Sequence, residues 1–134
     1  MRLLITIFFF IILAFNVQAE NDDKLIGIWQ EENTGMQVEI TKCDNFYCGT
    51  IIEIEDQTKD KNNRIPEFRN RLLDGLQIIS NLSKLNETNW SGGLYYSISQ
   101  GIEGSLSCKL IDNNTLLLTI ATAKSENARV WKRK

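Results

Sequence analysis

Met36-Gln37-Val38-Glu39-Ile40-Thr41-Lys42-Cys43-Asp44-Asn45-Phe46-Tyr47-Cys48-Gly49-Thr50-Ile51-Ile52-Glu53-Ile54-Glu55 is the stretch on which the fold turns. Before Cys43, Met36, Val38 and Ile40 alternate with Gln37, Glu39 and Thr41, the period-two pattern of a half-buried strand. After Cys48, Thr50, Ile52 and Ile54 alternate with Ile51, Glu53 and Glu55 in the same way. Between the two runs, Asp44-Asn45-Phe46-Tyr47 predicts a four-residue hairpin loop with a cysteine on each side of its base. Cys43 and Cys48 so placed can meet at disulfide distance. Gly49, directly after Cys48, marks a bulge or a close approach of backbones.

Working outward, strand-like segments dominate. Residues 25–32 precede a turn at Asn33-Thr34-Gly35. Downstream come residues 76–80, 90–98 (interrupted by Gly92-Gly93), 102–111, 115–123 and 128–133. Turn signals at Gln100-Gly101, Asp112-Asn113-Asn114 and residues 124–127 separate the last four, and residues 81–89 read as a polar connection. Eight strands at such intervals predict an all-β barrel or sandwich. One segment departs from the pattern. Residues 56–64 are charged and turn-rich, Pro66 follows, and residues 67–74 predict a short helix closed by Gly75. A connection of that length is either functional or mobile.

The N-terminus gives an address. Of residues 1–19, fifteen are apolar; Arg2 supplies a positive start, and Val17-Gln18-Ala19 offers small residues where a signal peptidase reads. That is the pattern of a secretory signal peptide, with the folded domain over 20–134. The apolar run is shorter than the roughly 20 residues of a membrane anchor, so the exported protein is not expected to span a membrane. An oxidising compartment lets a Cys43–Cys48 disulfide persist. Cys108 is then unpaired and reads as a small buried hydrophobe rather than a reactive thiol.

The 134 residues carry 15 Lys and Arg against 17 Asp and Glu, a net charge of −2. Without a basic patch, nucleic acid is not an expected partner. The chain has no histidine, which excludes Ser-His-Asp triads, Cys-His dyads and histidine metal sites. Three cysteines make a poor zinc set, and no metal or other cofactor is implied.

Gly27-Ile28-Trp29 stands on the first strand. It resembles the Gly-x-Trp with which lipocalins close one end of the barrel. That resemblance implies an arginine of the last strand packed over the indole as a cation–π contact, with Arg129 and Arg133 as the candidates. The wider series is Gly27-Ile28-Trp29, residues 38–43, Cys48-Gly49-Thr50-Ile51, Arg69-Asn70-Arg71-Leu72-Leu73-Asp74-Gly75-Leu76, Trp90-Ser91-Gly92-Gly93-Leu94-Tyr95 and Trp131-Lys132-Arg133. In that order it resembles the bacterial family known as domain of unknown function 2147, over roughly 26–133. Leu72 stands where that family often has proline, and Tyr96-Ser97-Ile98-Ser99 lacks its frequent Asp-Pro turn. The resemblance implies a small, exported, lipocalin-like protein: an antiparallel eight-stranded barrel whose long connection has room for a short helix. It implies no established activity.

Arg69 and Arg71, flanking Asn70 in the long connection, are candidates for holding an anionic head group. The competing use is to pair with Asp56, Asp60, Glu67 or Asp74 and pin the loop. Trp90 and Tyr95 are candidates for lining a pocket, with core packing as the commoner fate of such residues. Trp29 and Trp131 read as structural, as do Gly27 and Arg133. Glu53 and Glu55 share a strand face, but an outward acidic face is ordinary solvation. The expectation is therefore a non-enzymatic periplasmic or secreted protein that binds an apolar or amphipathic small molecule. The alternative is an envelope protein-interaction module, for example one that docks on or inhibits a cell-wall enzyme.

Overall fold

A computed structural model describes residues 23–55 and 58–134. The expected signal peptide lies outside these residues, as does Asp56. Eight strands run β1 (Gly27–Glu31), β2 (Gln37–Cys43), β3 (Phe46–Glu53), β4 (Gln77–Asn86), β5 (Asn89–Ser97), β6 (Ile102–Asp112), β7 (Thr115–Ala121) and β8 (Glu126–Arg133). Each pairs antiparallel with the next, and β1 pairs with β8 through Trp29 opposite Arg133, so the sheet closes into the expected barrel. Closure removes sheet edges that would otherwise expose unpaired backbone.

Alternation decides which side chains face inward. Trp29, Val38, Ile40, Tyr47, Ile51, Trp90, Leu118 and Trp131 are all at most 1% exposed. Burying each such side chain is worth roughly 1.5–3 kcal/mol. Cys108 also faces in, and burial pushes its thiol pKa up to about 12, which leaves it an inert packing group. A bond joins Cys43 to Cys48, whose Cα atoms are 5.8 Å apart.

An up-and-down barrel has two ends of different character. One end carries the β2–β3, β4–β5 and β6–β7 turns and residues 23–26. Leu25 plugs it, fully buried, and its carbonyl accepts a hydrogen bond from Trp29 Nε1 at 2.9 Å. Arg133, rather than Arg129, covers Trp29, with its guanidinium carbon 4.3 Å from the ring centre. Arg133 also donates from Nε to Asn113 O, and from Nη1 and Nη2 to Ile26 O and Lys24 O. Gly27 makes room: a Cβ there would lie 2.8 Å from Arg133 Nη1, and its φ of +143° disfavours other residues.

Three local expectations change. The β2–β3 hairpin turns on Asp44-Asn45 alone, because Phe46 and Tyr47 pair with Cys43 and Lys42 and Tyr47 is drawn into the core. Strand β4 continues through 81–86. Asn81, at φ +55°, shifts the alternation so that Ile79 and Leu82, three residues apart, both face inward. The expected helix at 67–74 is only a 3-10 turn, Pro66–Phe68. Beyond it, Leu73 enters the core, and the backbone pairs with the other arm of the loop, Asp60 N to Arg71 O and Leu73 N to Thr58 O. Tertiary pairing outcompetes a single marginal helical turn.

Gly27→Ala should destabilise the barrel by about 1–2 kcal/mol through backbone strain alone, read as a lower urea midpoint at constant slope. An unchanged midpoint would show that the backbone at 27 tolerates a Cβ without strain. The chain's three tyrosines, Tyr47, Tyr95 and Tyr96, all have raised pKa values, chiefly through burial, with Tyr47 and Tyr96 pushed up to about 12. A raised folded-state value favours the native form fully below the unfolded value of about 10 and loses that contribution as pH climbs through the folded value. Absorbance at 295 nm should therefore show no native phenolate at pH 10. Phenolate should then rise together with unfolding.

Candidate functional site

The end opposite Arg133 is open. Tyr95 and Trp131, with ring centres 6.3 Å apart and planes inclined at 55°, form the top of the packed core. Beside them lies a cavity of about 290 Å³, lined by Glu31, Thr34, Met36, Ile54, Asn62, Tyr95, Ile98, Ser99 and Arg129. Its size is near the lower bound of small-molecule pockets, roughly 300 Å³. A wider rim hollow of about 600 Å³ shares Glu31, Thr34, Ser99 and Arg129 and adds Glu32, Asn33 and Asn127.

The floor is polar and the wall apolar. Glu31 follows Trp29 by two residues on β1, and Arg129 precedes Trp131 by two on β8, so both charges share the inward face with those indoles. Arg129 Nη1 donates to Glu31 Oε1 at 2.9 Å, and Thr34 Oγ1 donates to Glu31 Oε2 at 3.0 Å. Glu31 is buried at 7% exposure, whereas the Arg129 side chain keeps 30%. Arg129 meets its partner end-on, and no other described side chain takes its remaining N–H groups. Tyr95 is 1% exposed, and burial raises its pKa, so its phenol stays protonated. Among the described residues none hydrogen-bonds that hydroxyl, which lines the cavity, whereas Trp131 Nε1 is sealed in the core without a partner. Met36, Ile54 and Ile98 supply the apolar wall.

The sequence candidates fall in three separate places. Tyr95 is at the mouth. Trp90 packs edge-on against Tyr47 in the other half of the core, ring centres 6.3 Å apart. Arg69, Asn70 and Arg71 do not line the mouth cavity. Arg69 Nε donates to Asn63 O at 2.8 Å, and Asn70 is exposed. Arg71 Nε donates to Asp60 Oδ2 at 2.9 Å, with its guanidinium 4.9 Å from the Phe68 ring and 5.5 Å from Tyr96. Asp60 is fully buried, and it also accepts Tyr96 OH at 2.6 Å and Asn63 Nδ2 at 2.8 Å. That network pins the long connection to the outside of β5 and bounds a groove of about 410 Å³ with Arg71, Phe68 and Ile102.

The same pinning completes the mouth. Arg64 N donates to Gly101 O at 3.3 Å, and Asn62 Nδ2 to Ile98 O at 3.4 Å. Only glycine fits at 101, where a Cβ would lie 1.7 Å from Asn62 O. Glu53 and Glu55 line an open polar hollow with Thr34 and Thr58. Sequence reasoning passed over Glu31, Met36, Ile54 and Ile98 as site residues. The available signal was a charge at inward parity, two residues from a structural tryptophan on both β1 and β8.

Compared with known proteins, residues 27–133 match the family described as "Uncharacterized protein conserved in bacteria (DUF2147)". Among solved structures, the chain is similar to protein HP1028 of Helicobacter pylori, described as belonging to the lipocalin family. The two are 26% identical with a TM-score of 0.72, and 82% of each chain is covered. No curated protein matches.

Removing the Asp60 carboxylate should cost about 2–4 kcal/mol, because it strands buried donors on Tyr96 and Asn63 and unpairs the partly exposed Arg71. Asp60→Ala should therefore lower the melting temperature sharply, and Tyr96→Phe should lower it by much less. Equal, small effects would show that the connection is not held this way.

Proposed function

The chain belongs to the DUF2147 family of bacterial proteins, and from that premise we propose that it is a non-enzymatic exported binding protein that takes an amphipathic small molecule into the open end of its barrel. The observation that carries this reading is the cavity beside Tyr95, with apolar walls and a charged, half-exposed Arg129 at its floor. Such pockets combine hydrophobic lining with a few convergent polar groups. An ion pair such as Glu31–Arg129, with one partner buried and the other open to the cavity, contributes little net stability over an apolar pair, so a ligand explains it better than folding does. The lipocalin-like fold of the Helicobacter pylori protein supports a binding role.

Export rests on the N-terminal signal pattern and is supported by the Cys43–Cys48 bond, which suits an oxidising compartment. A second reading, an envelope protein-interaction module, draws on the packed lower barrel and on Ile65, Phe68 and Leu72, which leave the long connection 42–51% exposed.

Native mass spectrometry of protein recovered gently from its own host, repeated after denaturation, separates the two. The small-molecule reading expects added mass that is lost on denaturation. Ile98→Trp, which fills the cavity, should abolish that mass and leave the melting temperature within a few degrees. Added mass that survives in Ile98→Trp would place the ligand elsewhere, and a protein-sized adduct would favour the second reading.

A further inference from the structure

We propose that the ligand's head group is a carboxylate, received by the open donors of Arg129 together with the Tyr95 hydroxyl. This rests on the small-molecule reading above and names the chemistry of that site. The argument is an inventory of unused hydrogen-bonding capacity. Both oxygens of Glu31 are already engaged, Oε1 by Arg129 and Oε2 by Thr34. Arg129 has five N–H donors, of which one is used in this contact. Tyr95, nine-tenths buried and more, brings a hydroxyl that no described residue satisfies. That hydroxyl is open to the cavity and available as a donor. The free capacity in the cavity is thus dominated by donors, which calls for an acceptor-rich head group.

Charge narrows the choice. Arg129 is a planar fork suited to two-point contact with a carboxylate. Glu31 already neutralises Arg129, so the floor offers open donors rather than surplus positive charge and is ill suited to the two charges of a phosphate monoester. An amine would need a free face on Glu31, and that residue is 7% exposed with both oxygens bonded. Glu31 acts instead as a positioning residue that fixes the guanidinium beneath the opening. Met36, Ile54 and Ile98 then receive an aliphatic tail, and the cavity of about 290 Å³ favours a short one.

The test compares three eight-carbon probes of matched tail by isothermal titration calorimetry at pH 7: octanoate, octanol and octylamine. Hydrogen bonds to a charged group predict that octanoate binds on the order of tenfold to a hundredfold more tightly than octanol. Tyr95→Phe and Arg129→Gln should erase that advantage and leave octanol affinity unchanged. Glu31→Gln should keep the preference for octanoate, which also guards against an Arg129 variant that fails to fold. Equal affinity for octanoate and octanol would overturn the carboxylate proposal and leave the small-molecule reading standing. A preference for octylamine that vanishes in Glu31→Gln would overturn it in favour of an amine site. Binding of none of the three, with every variant folded, would overturn both.

Discussion

Arg133 over Trp29 is the contact that makes this sheet a barrel with a bottom. A guanidinium on an indole face is worth about 0.5–2 kcal/mol, depending on desolvation. Here it does more than stack, because the same group also holds three backbone carbonyls, from Lys24, Ile26 and Asn113. First strand, last strand, N-terminal lead-in and the β6–β7 turn thus converge on one side chain. A charge so placed would be costly to bury alone; with its donors used, it seals the end that Leu25 plugs.

From that seal upward the interior is solid. Three tryptophans and two tyrosines, all at most 1% exposed, fill the tube as far as Tyr95 and Trp131. Eight strands enclose little more volume than side chains can occupy. Two indole N–H groups, on Trp90 and Trp131, are left without partners, which marks how strongly volume outranks polarity in this core. The space left inside the barrel therefore lies at the top. There the inward positions stop being aromatic and become Glu31 and Arg129.

The long connection gives that opening its shape. It is not a helix and not a free loop. Asp60, buried and bonded by Tyr96, Asn63 and Arg71, acts as the pin. The two arms of the loop pair with each other, Leu73 drops into the core, and Asn62 is delivered to the cavity wall. Arg71 works inside this network, so one guanidinium proposed from sequence as a ligand contact is spent largely on holding the loop.

The sequence by itself determined the strand count and the cysteine pair, because two-residue alternation and turn residues are local signals; those signals left barrel and sandwich open, and the strand order came from closure. It also pointed to Gly27 and Trp29 at one end of the barrel. It left two arginines competing for Trp29. Only the closure of β8 on β1, which sets Arg133 opposite Trp29, decided between them and sent Arg129 to the mouth. Likewise the segment 67–74 has a plausible helical pattern, and only the burial of Leu73 and the pull of Asp60 on Arg71 overrode it. The site itself is the least local feature. Glu31, Asn62, Tyr95 and Arg129 lie on four different elements, and their meeting depends on barrel shear and loop pinning, neither of which leaves a periodic trace in the chain.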